Sequence, residues 1–156
     1  LKDARNQPVI LRKPEVINGL RNLIQNAVDF ARNQVLIEAD WTADLVTLRI
    51  MDDGRGFPPH LLGRIGDPFV RRRRSTPDRS VRPEYEGMGL GLFIAKTLLE
   101  RSGAELSFAN ASDQIDPPST ENVFVGAIVK VTWRRAEIDA QSDGAVALGQ
   151  NQRILL

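Results

Sequence analysis

Hydrophobic residues recur at helical spacing in two stretches of the chain. The first stripe consists of Val16, Ile17, Leu20, Leu23, Ile24, Ala27, Val28 and Ala31. It follows Pro14, and proline fits the first turn of a helix because its missing N–H has no helical partner there. Residues 88–102 return to the same spacing, and Gly103 is a typical residue for ending a helix. The pattern predicts two amphipathic helices.

Between and after these helices lie runs of residues with high β propensity. Residues 35–41 and 45–51 are joined by three residues, which predicts a β-hairpin. A short helix is expected from Pro58 to Ile65, and two further strands at 106–109 and 123–133. This order of elements predicts an α+β fold, an α/β sandwich with helices packed on one face of a mixed, mostly antiparallel sheet.

Two segments do not follow either periodicity. Residues 66–86 contain few apolar side chains, several prolines and four consecutive arginines, so we expect a functional lid or a disordered loop. Residues 135–156 are mostly small and polar, and we expect a poorly ordered tail. The folded domain is therefore predicted at 14–134. Residues 1–13 resemble the end of a connection from a preceding domain, and we expect the chain to be a piece of a longer protein.

Composition narrows the classes of function. The chain has 156 residues, of which 42% are hydrophobic and 26% charged, as expected for a single globular domain. A net charge of +1 gives no reason to expect binding to nucleic acid or to an anionic membrane. The sequence has no apolar run that could span a bilayer and no signal-peptide pattern. Without cysteine it forms neither a disulfide nor a zinc–thiolate site.

The first helix carries two asparagines off its apolar stripe. Asn22 and Asn26 lie one turn apart, close to Asp29. Asparagine in a helix interior costs about 0.5 kcal/mol relative to alanine, so two of them need a reason. Amide oxygens are suitable ligands for Mg²⁺ that is already bound to phosphates. Taken alone, the pair fits a solvated helix face equally well.

Asp52 ends the second predicted strand and is followed by Gly54 and Gly56. The glycines allow positive φ and close approach of the backbone to a planar ligand. A buried carboxylate at this place could accept a hydrogen bond from the exocyclic amine of adenine. The alternative is an ordinary Asp–Gly turn at a strand end.

Gly87, Gly89 and Gly91 open the second long helix. Free N–H groups and the helix dipole favour phosphate at such a helix start. The spacing does not match a dinucleotide fingerprint, because the third glycine comes one residue early, and no Lys-Ser/Thr follows as in a P-loop.

In the preceding lid, Arg71 is the first of four arginines and a candidate contact for a γ-phosphate, although a solvated basic loop explains most of them. His60 is far from every motif and is interpreted as a surface residue.

Taken together and in this order, the motifs resemble those of the ATP-binding catalytic domain of sensor histidine kinases, within the superfamily that includes gyrase, a heat-shock chaperone family and mismatch-repair ATPases. Residues 22–27 are similar to the N box, 52–56 to the first glycine box, 68–69 to the F box and 87–91 to the second glycine box. The resemblance covers about residues 14–134. It implies the Bergerat fold, ATP and Mg²⁺ as cofactors, and transfer of the γ-phosphoryl group to a histidine.

Within the family, residues 25–31, 66–71 and 85–96 resemble the redox-responsive RegB/PrrB subfamily in particular. This implies a cytoplasmic domain of a membrane-anchored, homodimeric sensor in the inner membrane. The implied partners are the protein's own histidine-bearing dimerisation domain and a response regulator of the RegA/PrrA kind.

The resemblance also implies roles for individual residues. Asn26 would hold Mg²⁺, and Asn22 would contact the phosphates or metal-bound water as a catalytic residue. Asp52 would read the adenine amine beside Gly54 and Gly56, while Phe69 and Arg71 would close from the lid, Arg71 as a second catalytic residue. The phosphates would lie against Gly87, Met88, Gly89, Leu90 and Gly91. The chain departs from the family at Asp29, where lysine is common, and at Ala127, where threonine is often found.

Two alternatives stay open for the function. ATP hydrolases of the superfamily place a glutamate four residues before the metal-binding asparagine, as a general base for water. Here that position is Asn22, which favours a kinase. The second alternative is a module that binds ATP for interaction without transfer. The phosphoacceptor histidine is absent, so this chain is expected to bind ATP and stay unphosphorylated itself.

Overall fold

The computed structural model describes residues 7–65, 88–113 and 126–141. The helices are α1 (Pro14–Phe30), α2 (Met88–Arg101) and α3 (Arg135–Ile138), and the strands are β1 (Val35–Trp41), β2 (Leu45–Asp52), β3 (Glu105–Asn110) and β4 (Ala127–Arg134). Short 3₁₀ helices lie at Pro59–Arg64 and Ala111–Asp113. In these ranges no helix combines the length and apolarity needed to traverse a bilayer.

The four strands form one sheet in the order β1-β2-β4-β3, and each neighbouring pair is antiparallel. Ile50 of β2 pairs with Val129 of β4, which pairs with Phe108 of β3. Because side chains alternate along a strand, these three point to the same face, and α1 and α2 pack on that face. The predicted α/β sandwich is confirmed, and the strands seen in the described ranges are all antiparallel.

Helices α1 and α2 lie side by side in opposite directions. Gly19 near the start of α1 is next to Leu99 near the end of α2, and Asn26 is next to Gly91 at the other end. A Cβ atom on Gly19 would lie 2.5 Å from Leu99 Cγ, so the helices meet closely at this glycine. The core residues between the two helices and the sheet include Val16, Leu23, Ala27, Val46, Ile50, Leu92, Ala95, Leu99, Val129, Val131 and Trp133.

The buried side of α1 is narrower than the predicted stripe. Val16, Leu23 and Ala27 are buried, but Ile17 is 41% exposed and Val28 55% exposed. The periodicity predicted which side of α1 is apolar, but it did not predict where the centre of the buried face lies. Because α2 covers the side that carries Gly19, the buried arc is displaced from the far edge of the stripe, where Ile17 and Val28 lie.

The ordered chain continues past Arg134, which differs from the expected tail starting at 135. Ile138 is buried and gives α3 an apolar anchor, which the polar composition of this region concealed. Beside it, Leu11 N donates to Ile138 O at 2.8 Å, and Ala140 N donates to Val9 O at 2.7 Å. Residues 142–156, and the predicted lid at 66–86, lie outside the described residues.

Candidate functional site

A cavity lies between the C-terminal half of α1, the ends of β2 and β4, and α2. It is lined by Leu23, Asn26, Ala27, Phe30, Ile50, Asp52, Gly56, Phe57, Leu92, Ala127 and Val129. Most of these side chains are apolar. The polar side chains in the lining are the carboxylate of Asp52 and the amide of Asn26. Apolar walls with one or two polar groups are typical of sites that orient a ligand by a few polar contacts.

Asp52 is 4% exposed at the end of β2. Its Oδ1 accepts hydrogen bonds from Gly54 N at 2.8 Å and Ala127 N at 3.2 Å, and Oδ2 receives none from the described residues. Burial raises the pKa of the carboxyl above its ordinary value, although the two backbone hydrogen bonds oppose that effect. The charged form of Asp52 is therefore short of donors, and a ligand amine would supply one.

Two glycines make room for this carboxylate. A side chain on Gly126 would collide with Asp52 Oδ1, and a side chain on Gly54 would collide with the carbonyl oxygen of Phe30. Gly56 has a φ of 75°, in the left-handed region that favours glycine. Gly54 of the first glycine motif is thus required by close backbone packing, independently of any ligand.

The two asparagines of α1 are oriented by the helix itself. Asn22 Nδ2 donates to Asn18 O at 3.0 Å, and Asn26 Nδ2 donates to Asn22 O at 2.9 Å. Since each amide nitrogen is bonded to the preceding turn, each Oδ1 is the end of the side chain that is turned away from the helix backbone. This orientation presents the oxygen, which is the atom that a hard cation requires.

The first turn of α2 contacts the same place. A Cβ on Gly91 would lie 3.1 Å from Asn26 Nδ2, so the glycine lets α2 pass close to the asparagine. Met88, Gly89 and Leu90 form the first turn with Gly91, and the Leu90 side chain is exposed. The structure therefore brings the start of α2 to Asn26 and the cavity. Phe69, Arg71 and Gly87 lie outside the described residues.

Sequence reasoning missed Asp53, the neighbour of Asp52. Its carboxylate accepts hydrogen bonds from the backbone N–H groups of Arg32, Asn33 and Gln34, at 2.8 to 3.2 Å from Oδ1. These bonds, that from Asn33 first, hold the pKa of Asp53 below its ordinary value. The residue fixes the turn after α1 to the end of β2. No sequence signal indicated this role, because it depends on the spatial position of the turn.

Asn110 was missed as well, although a signal existed. Leu106, Phe108 and Asn110 alternate along β3, which puts a polar side chain on the inner face. Asn110 Nδ2 donates to Phe57 O at 2.8 Å, and Phe57 N donates to Asn110 Oδ1 at 2.6 Å. The ring of Phe57 packs edge-on against Phe108 with centroids 5.9 Å apart. The loop that carries Gly56 is therefore attached to the sheet.

Solved structures show the same arrangement of helices and sheet. Full-length ShkA in complex with AMPPNP matches with a TM-score of 0.58 and 22% identity, over 88% of this chain and 25% of that one. The mycobacterial sensor histidine kinase MprB matches with a TM-score of 0.53 and 24% identity, over 75% of this chain and 70% of that one. At these identities the likeness establishes the fold.

Sequence comparison is more specific. The chain is 67% identical over 127 residues to the sensor histidine kinase RegB of Cereibacter sphaeroides, which confirms the predicted resemblance. The alignment covers 81% of this chain and 28% of RegB, so the chain spans little more than a quarter of that relative. The model of the histidine kinase-, DNA gyrase B- and HSP90-like ATPases matches residues 13–137, from the residue before α1 to the middle of α3. With its fold, its cavity and its sequence in agreement, the chain belongs to this ATPase family.

Proposed function

We propose that the chain is the ATP-binding catalytic domain of a sensor histidine kinase, which transfers the γ-phosphoryl group of ATP to a histidine on a separate dimerisation domain. The observation that carries the proposal is the buried carboxylate of Asp52, which faces an apolar slot with the amide of Asn26 in the same lining. In this proposal Asp52 binds the adenine base, and Asn26 lies at the phosphate end of the same nucleotide.

In this proposal adenine occupies the cavity, and its exocyclic amine donates to Asp52 Oδ2. The phosphates lie toward the first turn of α2, and Asn26 Oδ1 holds Mg²⁺ together with phosphate oxygens. Within the described ranges, no group of three or more His, Asp or Glu side chains could hold a metal ion. A metal bound near Asn26 would therefore take most of its ligands from the nucleotide and water, as Mg²⁺ commonly does. Bound there, Mg²⁺ would neutralise phosphate charge.

The composition of α1 favours a kinase over a hydrolase. A hydrolase needs a general base within reach of a water molecule, and a neutral amide at Asn22 does not take up a proton. Asp29 is an acid on the same helix, but it is exposed and already accepts a hydrogen bond from Gln25 Nε2 at 2.8 Å. The attacking group is then a histidine brought by another domain. Asn22 would contact the phosphates, and Arg71 in the lid would approach the γ-phosphate.

The identity of 67% with RegB supports a proposal about the whole protein of which this domain is a part. We propose a membrane-anchored homodimer with this domain on the cytoplasmic side, which responds to redox conditions and passes the phosphoryl group to a regulator of the RegA/PrrA kind.

Phosphotransfer in trans tests the central proposal. The chain is mixed with Mg²⁺, γ-labelled ATP and a purified dimerisation domain that carries the acceptor histidine. We expect label on that domain and none on this chain. Release of free phosphate without labelling would identify a hydrolase instead. Binding of ATP with neither reaction would identify a nucleotide-dependent interaction module.

The metal role of Asn26 has its own test. In Asn26→Ala we expect Mg²⁺ to lose its strengthening effect on ATP binding, because the amide oxygen is gone while the buried face of α1 is unchanged. Calorimetry with and without Mg²⁺ measures the effect. Gln25→Ala is the matched control, since Gln25 is exposed on the same helix. An undiminished Mg²⁺ effect in Asn26→Ala would contradict the assignment.

A further inference from the structure

We propose that Asn110 is a positioning residue of the adenine slot, which sets the place of the wall formed by Gly56 and Phe57. The inference rests on the proposed binding of adenine in the cavity. Asn110 is 7% exposed and is not among the residues that line the cavity. Its effect on a ligand would therefore be exerted through the loop that it holds.

The carboxamide of Asn110 forms hydrogen bonds with both backbone polar groups of Phe57. Phe57 N donates to Asn110 Oδ1 at 2.6 Å, and Asn110 Nδ2 donates to Phe57 O at 2.8 Å. Two residues that lie directly opposite each other on antiparallel strands exchange the same pair of bonds. The side chain of Asn110 thus takes the place of a neighbouring strand for the backbone of Phe57. An amide is suited to this because it carries both a donor and an acceptor.

The fit at Gly56 is equally close. A Cβ on Gly56 would lie 2.5 Å from Asn110 Oδ1, so the loop backbone rests directly on the carboxamide. Gly56 has positive φ, and Phe57 is buried with its ring on Phe108. Backbone, ring and hydrogen bonds together place the loop over the cavity. Of these contacts, those of Asn110 are the ones that hold the peptide groups.

The same end of the sheet also holds the carboxylate on the other side of the slot. Asn110 pairs with Ala127 in the β3–β4 ladder, and Ala127 N donates to Asp52 Oδ1. In addition, Ala111 N donates to Gly126 O at 3.0 Å, next to the glycine that makes room for Asp52. The distance between the base-reading carboxylate and the Gly56 wall is therefore fixed through this strand pair. Asn110 links that pair to the wall.

Asn110→Asp separates the two bonds with little change in shape. The carboxylate still accepts from Phe57 N, but it does not donate to Phe57 O and repels that carbonyl. We expect the Kd values of adenosine and ADP to rise by about tenfold, and by the same factor for both. The ratio of the two affinities should stay constant, because the phosphate end of the site on α2 is untouched. A general loss of structure would also lower both affinities, but it would broaden the thermal transition, which is measured alongside.

The matched control is Ser107→Ala, on the same strand but with an exposed side chain on the opposite face of the sheet. It should leave both affinities unchanged. Binding of ADP by Asn110→Asp at the level of the unmutated chain would overturn the proposal for Asn110 while leaving the proposed function intact. Failure of the unmutated chain to bind ADP would overturn the proposed function, and the role of Asn110 with it.

A measurement on the unmutated chain covers the case in which the variant does not fold. NMR spectroscopy follows the side-chain amide protons of Asn110 and the backbone amide of Phe57. We expect slow exchange with solvent for both before any ligand is added, and a shift of both signals on adding adenosine. Fast exchange, or signals that adenosine does not move, would overturn the assignment.

Discussion

Burial of the Asp52 carboxylate lowers the stability of the folded state when the carboxylate is ionised. Burial raises its pKa, although Gly54 and Ala127 donate to Oδ1. A folded-state pKa above the unfolded value of about 3.8 means that the folded chain binds this proton more tightly. Stability is therefore lost as the pH rises from that value through the folded pKa. The ionised form of the carboxylate therefore destabilises the domain unless a further donor binds to it.

Asp52→Asn should separate stability from binding. In the absence of nucleotide we expect a higher melting temperature than the unmutated chain at pH 7, because the amide carries no charge to desolvate. The difference should shrink as the pH falls below the unfolded value of about 3.8, where the carboxyl becomes protonated in both states. The Kd of ADP should rise about tenfold or more, since a hydrogen bond to a charged group is lost.

Calorimetric scans at several pH values and ADP titrations measure the two effects. Asp44→Asn, at the exposed hairpin turn, is the control and should change neither quantity. A lower melting temperature of Asp52→Asn at pH 7 would contradict the argument about burial.

At the scale of single residues, the sequence was informative where a residue type is costly at its position. Asn22 and Asn26 stand in a helix interior, and Asp52 stands between a strand and two glycines, so local pattern alone made each of them a candidate. Asn110 and Asp53 were not candidates, because their partners Phe57 and Asn33 are 53 and 20 residues away in the chain. The alternation along β3 indicated only that Asn110 faces inward, and no local pattern indicated which distant backbone either side chain holds.

At the scale of elements, the meeting of α1 and α2 decides where the site can form. Gly19 lets the helices approach near one end, and Gly91 lets them approach at Asn26 near the other. Periodicity predicted both helices and alternation predicted the strands. Neither predicted that Gly19 is a contact point, since the residue that opposes it, Leu99, lies 80 positions later in the sequence. The displaced buried face of α1 has the same cause.

Gly19→Ala tests this contact. Leu99 is fully buried and cannot move away easily. A Cβ at 2.5 Å from its Cγ should therefore overpack the seam, which is the contact between α1 and α2. Overpacking costs about 1–3 kcal/mol, whereas the higher helix propensity of alanine returns about 1 kcal/mol. We expect a net loss of about 1 kcal/mol in the free energy of unfolding, measured with urea.

Gly63→Ala provides the control for this substitution, because nothing lies within 4 Å of a Cβ at that position. It should not lower the free energy of unfolding, because no atom opposes the added methyl group. Equal stability of Gly19→Ala and the unmutated chain would show that the seam between the two helices has room for a methyl group.

At the scale of the whole molecule, hydrogen bonds join the segment before α1 to the segment after β4. Asp139 is 1% exposed, and it accepts from Val9 N at 2.9 Å, Gln141 N at 3.0 Å and Arg135 Nε at 2.7 Å. Lys13 Nζ donates to Glu137 O at 2.7 Å next to this cluster. The bond between Val9 and Asp139 joins positions 130 residues apart. Such a closure was beyond the reach of sequence patterns, which placed a tail there.

Asp139→Asn should weaken this closure in a pH-dependent way. Burial works against ionisation, but the hydrogen bonds from Gln141, Arg135 and Val9 outweigh it and hold the pKa of Asp139 below its ordinary value of 3.8. A lowered folded-state pKa contributes stability at neutral pH that is lost as the pH falls through the folded value. We expect Asp139→Asn to cost about 2 kcal/mol at pH 7. The cost should shrink at pH values below about 4.

Urea unfolding at pH 7 and in acid provides the measurement. Glu105→Gln, an exposed acid on β3, is the control and should cost little at either pH. A loss of stability in Asp139→Asn that does not depend on pH would contradict the role given to the charge.

The position of this closure has a mechanical consequence. It lies beside the start of α1, where Lys13 reaches Glu137, whereas Asn26 and the cavity lie toward the other end of the helix. A helix of 17 residues is about 25 Å long and acts as a stiff lever arm. If the domain turned as a unit by about 10° about the closure, the cavity end of the helix would move by about 4 Å. A small rotation at the closure is thus expected to produce a larger displacement at the cavity.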